Sequence, residues 1–268
     1  MWQGWIAVAL ALAAPTVAPR TISYGNDPLQ AIDVTPAGVK APLVIFVHGG
    51  GWRRGDKAMV GAKPAFFGAH GYAFASAGYR FVPAVSVADQ ASDLAAAIGA
   101  VRRQAATLGI DPDRIALVGH SAGAHLAALV ATDPAYLAKA GVPMRAVRAV
   151  VLLDGAGYDV PRQLADAGPL LRRTYLNAFG DDRAAQWRVS PLAHAAAPNA
   201  AAFDFRTDAN RRASGEQSDA LAAALVKAGA VATVTRVPDT DHMRLNRGFG
   251  TPGDPVGPAV AAFLAKHL

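Results

Sequence analysis

The chain has no cysteine among its 268 residues. Disulfides, thiol nucleophiles and cysteine-bound zinc are therefore excluded, while the redox character of its compartment stays open. Charge is sparse as well. Only 17% of residues are charged against 52% hydrophobic, a balance that suits a large buried core and opposes disorder. A dense basic run is also lacking. The net charge of +6 comes mostly from arginines scattered as pairs at 53/54, 102/103, 172/173 and 211/212, with little aromatic interleaving. Such pairs read as solvated faces, so no nucleic-acid partner is expected. No H-E-x-x-H occurs, and His120 and His125 stand five apart rather than three or four, so no metal is expected. No G-x-G-x-x-G follows a strand, and no cofactor is expected either.

A long hydrophobic run is missing too. The apolar stretch from Trp5 to Ala14 has about ten residues, too few to span a bilayer. Small residues near Ala13, Ala14 and Ala18 suit cleavage, although no Lys or Arg precedes the stretch. Residues 1–18 thus resemble a signal peptide, and the expectation is a periplasmic or secreted protein without stable membrane insertion of the mature chain. A cytoplasmic protein is the alternative. The oligomeric state is not legible. No internal repeat stands out, and residues 20–268 read as one domain.

The remaining pattern alternates short β-branched runs with alanine-rich helical ones. Strands are expected at Thr21–Tyr24, Gln30–Val34, Leu43–Val47, Tyr72–Ser76, Ile115–Val118, Ala149–Leu153, Ala201–Phe205 and Val231–Val237. Helices are expected at Val87–Leu108, Ala122–Ala131, Glu216–Ala228 and Pro258–His267. This order predicts an α/β fold with a mostly parallel central sheet of about eight strands flanked by helices, and ligands in such sheets bind at the carboxyl ends of strands.

At one such end stands "RIALVGHSAGAHLAALVA", residues 114–131, where Gly119–Gly123 must turn a strand directly into a helix. Ser121 occupies the corner. Helix capping is the plainer role for a serine there. The G-x-S-x-G pattern between a strand and a helix instead fits a nucleophile elbow, which lifts the hydroxyl clear of the sheet. A second glycine-rich loop, "HGGGWRRGDK" at 48–57, follows the strand Leu43–Val47. Three successive glycines leave backbone N–H groups open to a ligand oxygen, beyond what a tight turn requires.

Together with "GYR" at 78–80, "SPLAH" at 190–194 and "DTDHMRLNRGFG" at 239–250, these segments resemble the α/β-hydrolase fold. Within it they are similar to hormone-sensitive-lipase-like esterases, small bacterial carboxylesterases and kynurenine-formamidase-like enzymes. The resemblance runs from about residue 22 to the end. It implies Ser121 as nucleophile and an oxyanion hole from the amides of Gly50, Gly51 and Ala122. His48 and His120 would shape the loops.

A serine hydroxyl needs a base, for which histidine has a suitable pKa. Of seven histidines, His242 lies in "PDTDHMRLN" just beyond the last expected strand, where this fold places its base. The chain order Ser, acid, His then asks for a carboxylate between 121 and 242, after the penultimate strand. Asp208 is the expected acid, with Asp204, inside the expected strand, as its rival. "RTD" lacks the glycine that relatives often carry there. Residues 155–199 offer a small lid-like insertion with an amphipathic segment around Leu164–Leu176.

The expected activity is hydrolysis of small-molecule, short-chain carboxylic esters through an acyl-enzyme. Amide hydrolysis, arylformamidase-like or peptidase-like, is the alternative, and a catalytically inactive binding protein of the same fold is a second.

Overall fold

A computed structural model describes residues 18–196 and 199–268. Its centre is an eight-stranded sheet in the order β1-β2-β4-β3-β5-β6-β7-β8. The strands are β1 Arg20–Ser23, β2 Ala31–Thr35, β3 Ala41–Val47, β4 Ala73–Ala77, β5 Ile110–His120, β6 Val147–Leu153, β7 Ala202–Asp208 and β8 Val231–Val237. β1 and β2 pair antiparallel, as do β2 and β4, and every later pair is parallel. β3, β4 and β6 are almost wholly buried, as befits strands covered on both faces.

The cover on one face comes from α2 (Val87–Arg103), α3 (Ala105–Leu108), α4 (Ala122–Thr132), α5 (Pro134–Lys139) and α10 (Arg212–Lys227). α1 (Lys63–Ala69) and α12 (Val256–His267) close the other face through Phe67, Val260 and Leu264. Between β6 and β7 run α6 (Val160–Asp166), α7 (Pro169–Phe179), α8 (Arg183–Arg188) and α9 (Pro191–His194). A single turn, α11 (Arg244–Arg247), follows β8. Among the described residues no helix is long and apolar enough to cross a membrane.

All eight expected strands form, and β8 has the expected bounds. β7 runs on past Phe205 to Asp208, because its polar end stays in register with Arg236 and Val237 of β8. The expected helix over Val87–Leu108 breaks at Gln104 into α2 and α3, and Gly109 ends the second in a left-handed conformation. The amphipathic segment around Leu164–Leu176 is likewise divided, since Pro169 starts a new helix after Gly168. α10 begins at Arg212, before the expected Glu216. The expected signal peptide at 1–18 lies, but for its last residue, outside the described residues.

Candidate active site

Ser121 sits at the joint between β5 and α4 with φ 56° and ψ −121°, a conformation that L-residues adopt only when the surroundings hold them there. Those surroundings are the two motif glycines. A Cβ on Gly119 would stand 2.4 Å from the Gly123 carbonyl oxygen. On Gly123 it would stand 2.1 Å from the carbonyl oxygen of Val47. Only glycine lets β3, β5 and α4 converge so tightly. The serine amide donates to Leu153 O at 3.0 Å, tying the corner to the end of β6.

The remaining groups enter from beyond the ends of β6 and β8. His242, from the loop after β8, places Nε2 3.0 Å from Ser121 Oγ. Its Nδ1 lies 2.6 Å from Asp154 Oδ2. Asp154 directly follows β6, is fully buried and has φ 45°, which an aspartate tolerates better than most residues. The structure thus brings together two of the expected residues, Ser121 and His242, but with Asp154 in place of Asp208.

Asp208 is the correction. Because β7 extends to this position, its carboxylate stays in the turn, where Oδ1 accepts from the Asn210 amide at 2.9 Å. Its main-chain N–H reaches Asp154 Oδ1 at 3.3 Å, so it touches Asp154 rather than His242. Asp204 lies buried within β7, bound to Arg206 Nε at 2.8 Å and Thr233 Oγ1 at 3.0 Å. Burial pushes the Asp204 carboxyl above the usual carboxylate range.

Asp154 keeps the opposite sign. Burial alone would raise its carboxyl, but the hydrogen bond with His242 and the nearby Arg211 guanidinium outweigh that and hold it below the ordinary range. Ser214 Oγ donates to Asp154 Oδ1 at 2.9 Å. Arg211 forms an ion pair with Asp154 Oδ2. The carboxylate is therefore ionised and held at both oxygens.

The glycine loop after β3 passes beside the serine. A Cβ on Gly49 would lie 3.0 Å from Ser121 Cβ, so nothing larger than glycine allows this approach. Gly50 and Gly51 follow with φ 132° and 61°. Among the described residues no acceptor pairs with the amides of Gly50, Gly51 or Ala122.

Trp52 anchors this loop. Its ring is buried against Phe179 at 4.6 Å and Tyr175 at 5.9 Å, both on α7. Its Nε1–H donates to His125 Nδ1 at 3.3 Å, and its carbonyl accepts from Gln90 Nε2 at 2.6 Å. Burial pushes His125 down to about 4, leaving a neutral ring whose Nε2 pairs with Val189 O. His48 stacks on Tyr79, whose hydroxyl donates to the His48 carbonyl at 2.8 Å. His120 lies under the His242 ring, 4.6 Å between centroids, with Nε2 2.8 Å from the His242 carbonyl. Burial, then the neighbouring His242, pushes His120 down to about 3. Both motif histidines therefore support the loops, as the sequence suggested.

The comparisons with known proteins point the same way. The BD-FAE family matches residues 34–151, which carry the glycine loop and Ser121 but neither Asp154 nor His242. Probable isoprenylcysteine alpha-carbonyl methylesterase ICMEL2 of Arabidopsis thaliana is 34% identical over 130 residues, 47% of this chain and 31% of that protein. Esterase LipC of Mycobacterium tuberculosis is 37% identical over 129 residues, 45% and 32% respectively. In each, the matched segment spans about a third of the relative's length. Esterase B from Lactobacillus rhamnosis superposes with a TM-score of 0.72 at 22% identity, covering 92% of this chain and 84% of that one. The chain has the α/β-hydrolase fold, and its likenesses in sequence include esterases and a kynurenine formamidase of Meyerozyma guilliermondii, 30% identical over 151 residues, 53% of this chain and 54% of that protein.

Proposed function

We propose that the protein is a serine esterase that cleaves short-chain carboxylic esters through an acyl-enzyme. One observation carries this reading: His242 bridges Ser121 Oγ at 3.0 Å and Asp154 Oδ2 at 2.6 Å. His242 Nε2 takes the serine proton as Oγ attacks the ester carbonyl. Gly50, Gly51 and Ala122 offer their unpaired amides to the oxyanion. Asp154 holds the ring by Nδ1–H and balances the imidazolium. The imidazolium then protonates the leaving alcohol, and water resolves the acyl-enzyme by the same route.

Substrate size follows from the segment between β6 and β7, which acts as a small cover. Its helix α7 turns Tyr175 and Phe179 inward on Trp52 while Leu170, Leu171, Arg172 and Arg173 stay exposed. A short, partly charged face of this kind suits water-dissolved esters with acyl chains of roughly two to six carbons rather than an oil interface. Residues 1–18 act as an export signal in this reading, so the mature exported chain begins near Ala14, Pro15 or Pro19 by mass spectrometry.

The test is hydrolysis of p-nitrophenyl esters from acetate to palmitate by wild type and Ser121→Ala. The expected result is a maximum at short chains and a loss of nearly all activity in the variant. A maximum at long chains, or a jump with emulsified triglyceride, contradicts the size reading. Faster turnover of matched aryl amides than of esters favours the amide alternative.

A further inference from the structure

Arg211 lies in the turn between β7 and α10 and reaches back into the site. Its Nη1 forms the ion pair with Asp154 Oδ2, while Nε and Nη2 have no partner among the described residues and the side chain is 30% exposed. One edge of the guanidinium is spent on the triad aspartate, and the other stays open.

Tyr175 meets this space from the cover. Its ring packs on Trp52 at 5.9 Å, and its neighbour Thr174 comes within 3.4 Å of where a Cβ on Gly51 would stand, so this turn of α7 overlies the oxyanion loop. The residue is only 4% exposed, yet its hydroxyl has no hydrogen-bond partner among the described residues. Burial raises its pKa, while Arg211 lowers it and Asp154 raises it by smaller amounts, so the hydroxyl keeps its proton within the field of both groups. A buried donor without a partner is costly until a ligand supplies an acceptor.

The surrounding charge is mostly of one sign. Arg53 and Arg54 directly follow Trp52 and Arg173 precedes Thr174; all three are exposed, and none pairs with a carboxylate among the described residues. Asp154 is neutralised by Arg211, and Asp241, beside His242, accepts from the amides of Met243 and Arg244. Such a rim attracts anions.

His242 protonates the leaving oxygen, so the alcohol part of the ester lies towards its ring, and Arg211 stands on that side. We propose that the open edge of Arg211 and the Tyr175 hydroxyl form a carboxylate subsite, and that the esters this protein cleaves best carry a carboxylate on the alcohol part. The inference rests on the triad reading above and adds the charge of the substrate to it. A carboxylate there accepts from both donors at once.

The experiment measures kcat/KM for 3- and 4-acetoxybenzoate, each against its neutral isostere, 3- or 4-acetoxybenzamide, in wild type, Arg211→Gln, Tyr175→Phe and Ser121→Ala. The ratio of anionic to neutral ester, taken for the better pair, is expected to fall roughly ten- to hundredfold in Arg211→Gln, as loss of a charge-assisted hydrogen bond does, and severalfold in Tyr175→Phe. Added salt should lower kcat/KM for the anionic ester and leave the neutral one level. The same ratio in wild type and both variants, or equal salt dependence of the two esters, overturns the proposal. If Arg211→Gln loses both esters alike, Tyr175→Phe decides, and an unchanged ratio there overturns it too. An inactive Ser121→Ala in those cases confines the failure to the subsite. An active Ser121→Ala overturns the triad reading and this proposal with it.

Discussion

An asparagine at position 154 would keep the shape of the aspartate and lose the charge that fixes the histidine proton on Nδ1. Asp154→Asn is therefore expected to lower kcat by roughly three to four orders of magnitude. Asp208→Asn should cost far less, because only its main-chain amide reaches Asp154. Steady-state kinetics on both variants decide the matter, and equal losses would contradict the assignment. Asp204→Asn should act on stability instead, since its partners are Arg206 and Thr233 within the sheet. The sequence made Ser121 legible because its glycines are demanded locally. His242 was legible from its place after the last strand. Asp154 was not, because nothing near it in sequence announces contact with a histidine 88 positions away. Its one signal is a carboxylate directly after the apolar run Ala149–Leu153, on the strand that pairs with the one leading into Ser121. Asp208 won that reading only while β7 was expected to end at Phe205.

The glycine loop owes its shape to a helix far away in sequence. Trp52 locks it onto α7 and α4 through Phe179, Tyr175 and His125. Trp52→Ala should cost about 3–5 kcal/mol of stability, as large buried truncations do. It should also lower kcat more than it changes KM, since loosened amides lose an oxyanion they meet only during reaction. Denaturant titration and kinetics on the same preparation test both parts. A stability loss with unchanged kcat would separate the anchor from the oxyanion loop. The strands were legible because parallel strands covered on both faces read as continuous apolar runs. α1 was not: "KPAFFGA" has seven residues with a proline and a glycine, too short for a helical period to stand out. Tertiary packing of Phe67 against Phe74 and Phe249 makes it a helix.

The whole molecule carries its buried histidines as an acid liability. Burial holds His125 down to about 4, and burial with the neighbouring His242 holds His120 down to about 3, against 6.5 when exposed. Between those values the unfolded chain binds protons that the folded chain refuses, so stability falls as pH drops from about 6.5 towards 3. Below the usual carboxylate range Asp154, depressed in the folded state, adds to the loss. Urea midpoints from pH 7 to pH 4 should therefore decline, and His125→Gln should make the decline shallower. An unchanged slope in that variant would assign the acid sensitivity elsewhere.

If Ser121 is the nucleophile, a covalent inhibitor must bond to its hydroxyl oxygen. A fluorophosphonate should phosphonylate the protein once, with Ser121 Oγ displacing fluoride, and mass mapping should place the adduct on the tryptic peptide Ile115–Lys139. Labelling should slow in His242→Asn and Asp154→Asn and vanish in Ser121→Ala, with hydrolysis lost in step. An adduct on another residue, or full esterase activity in fully labelled protein, would show that Ser121 is not the nucleophile.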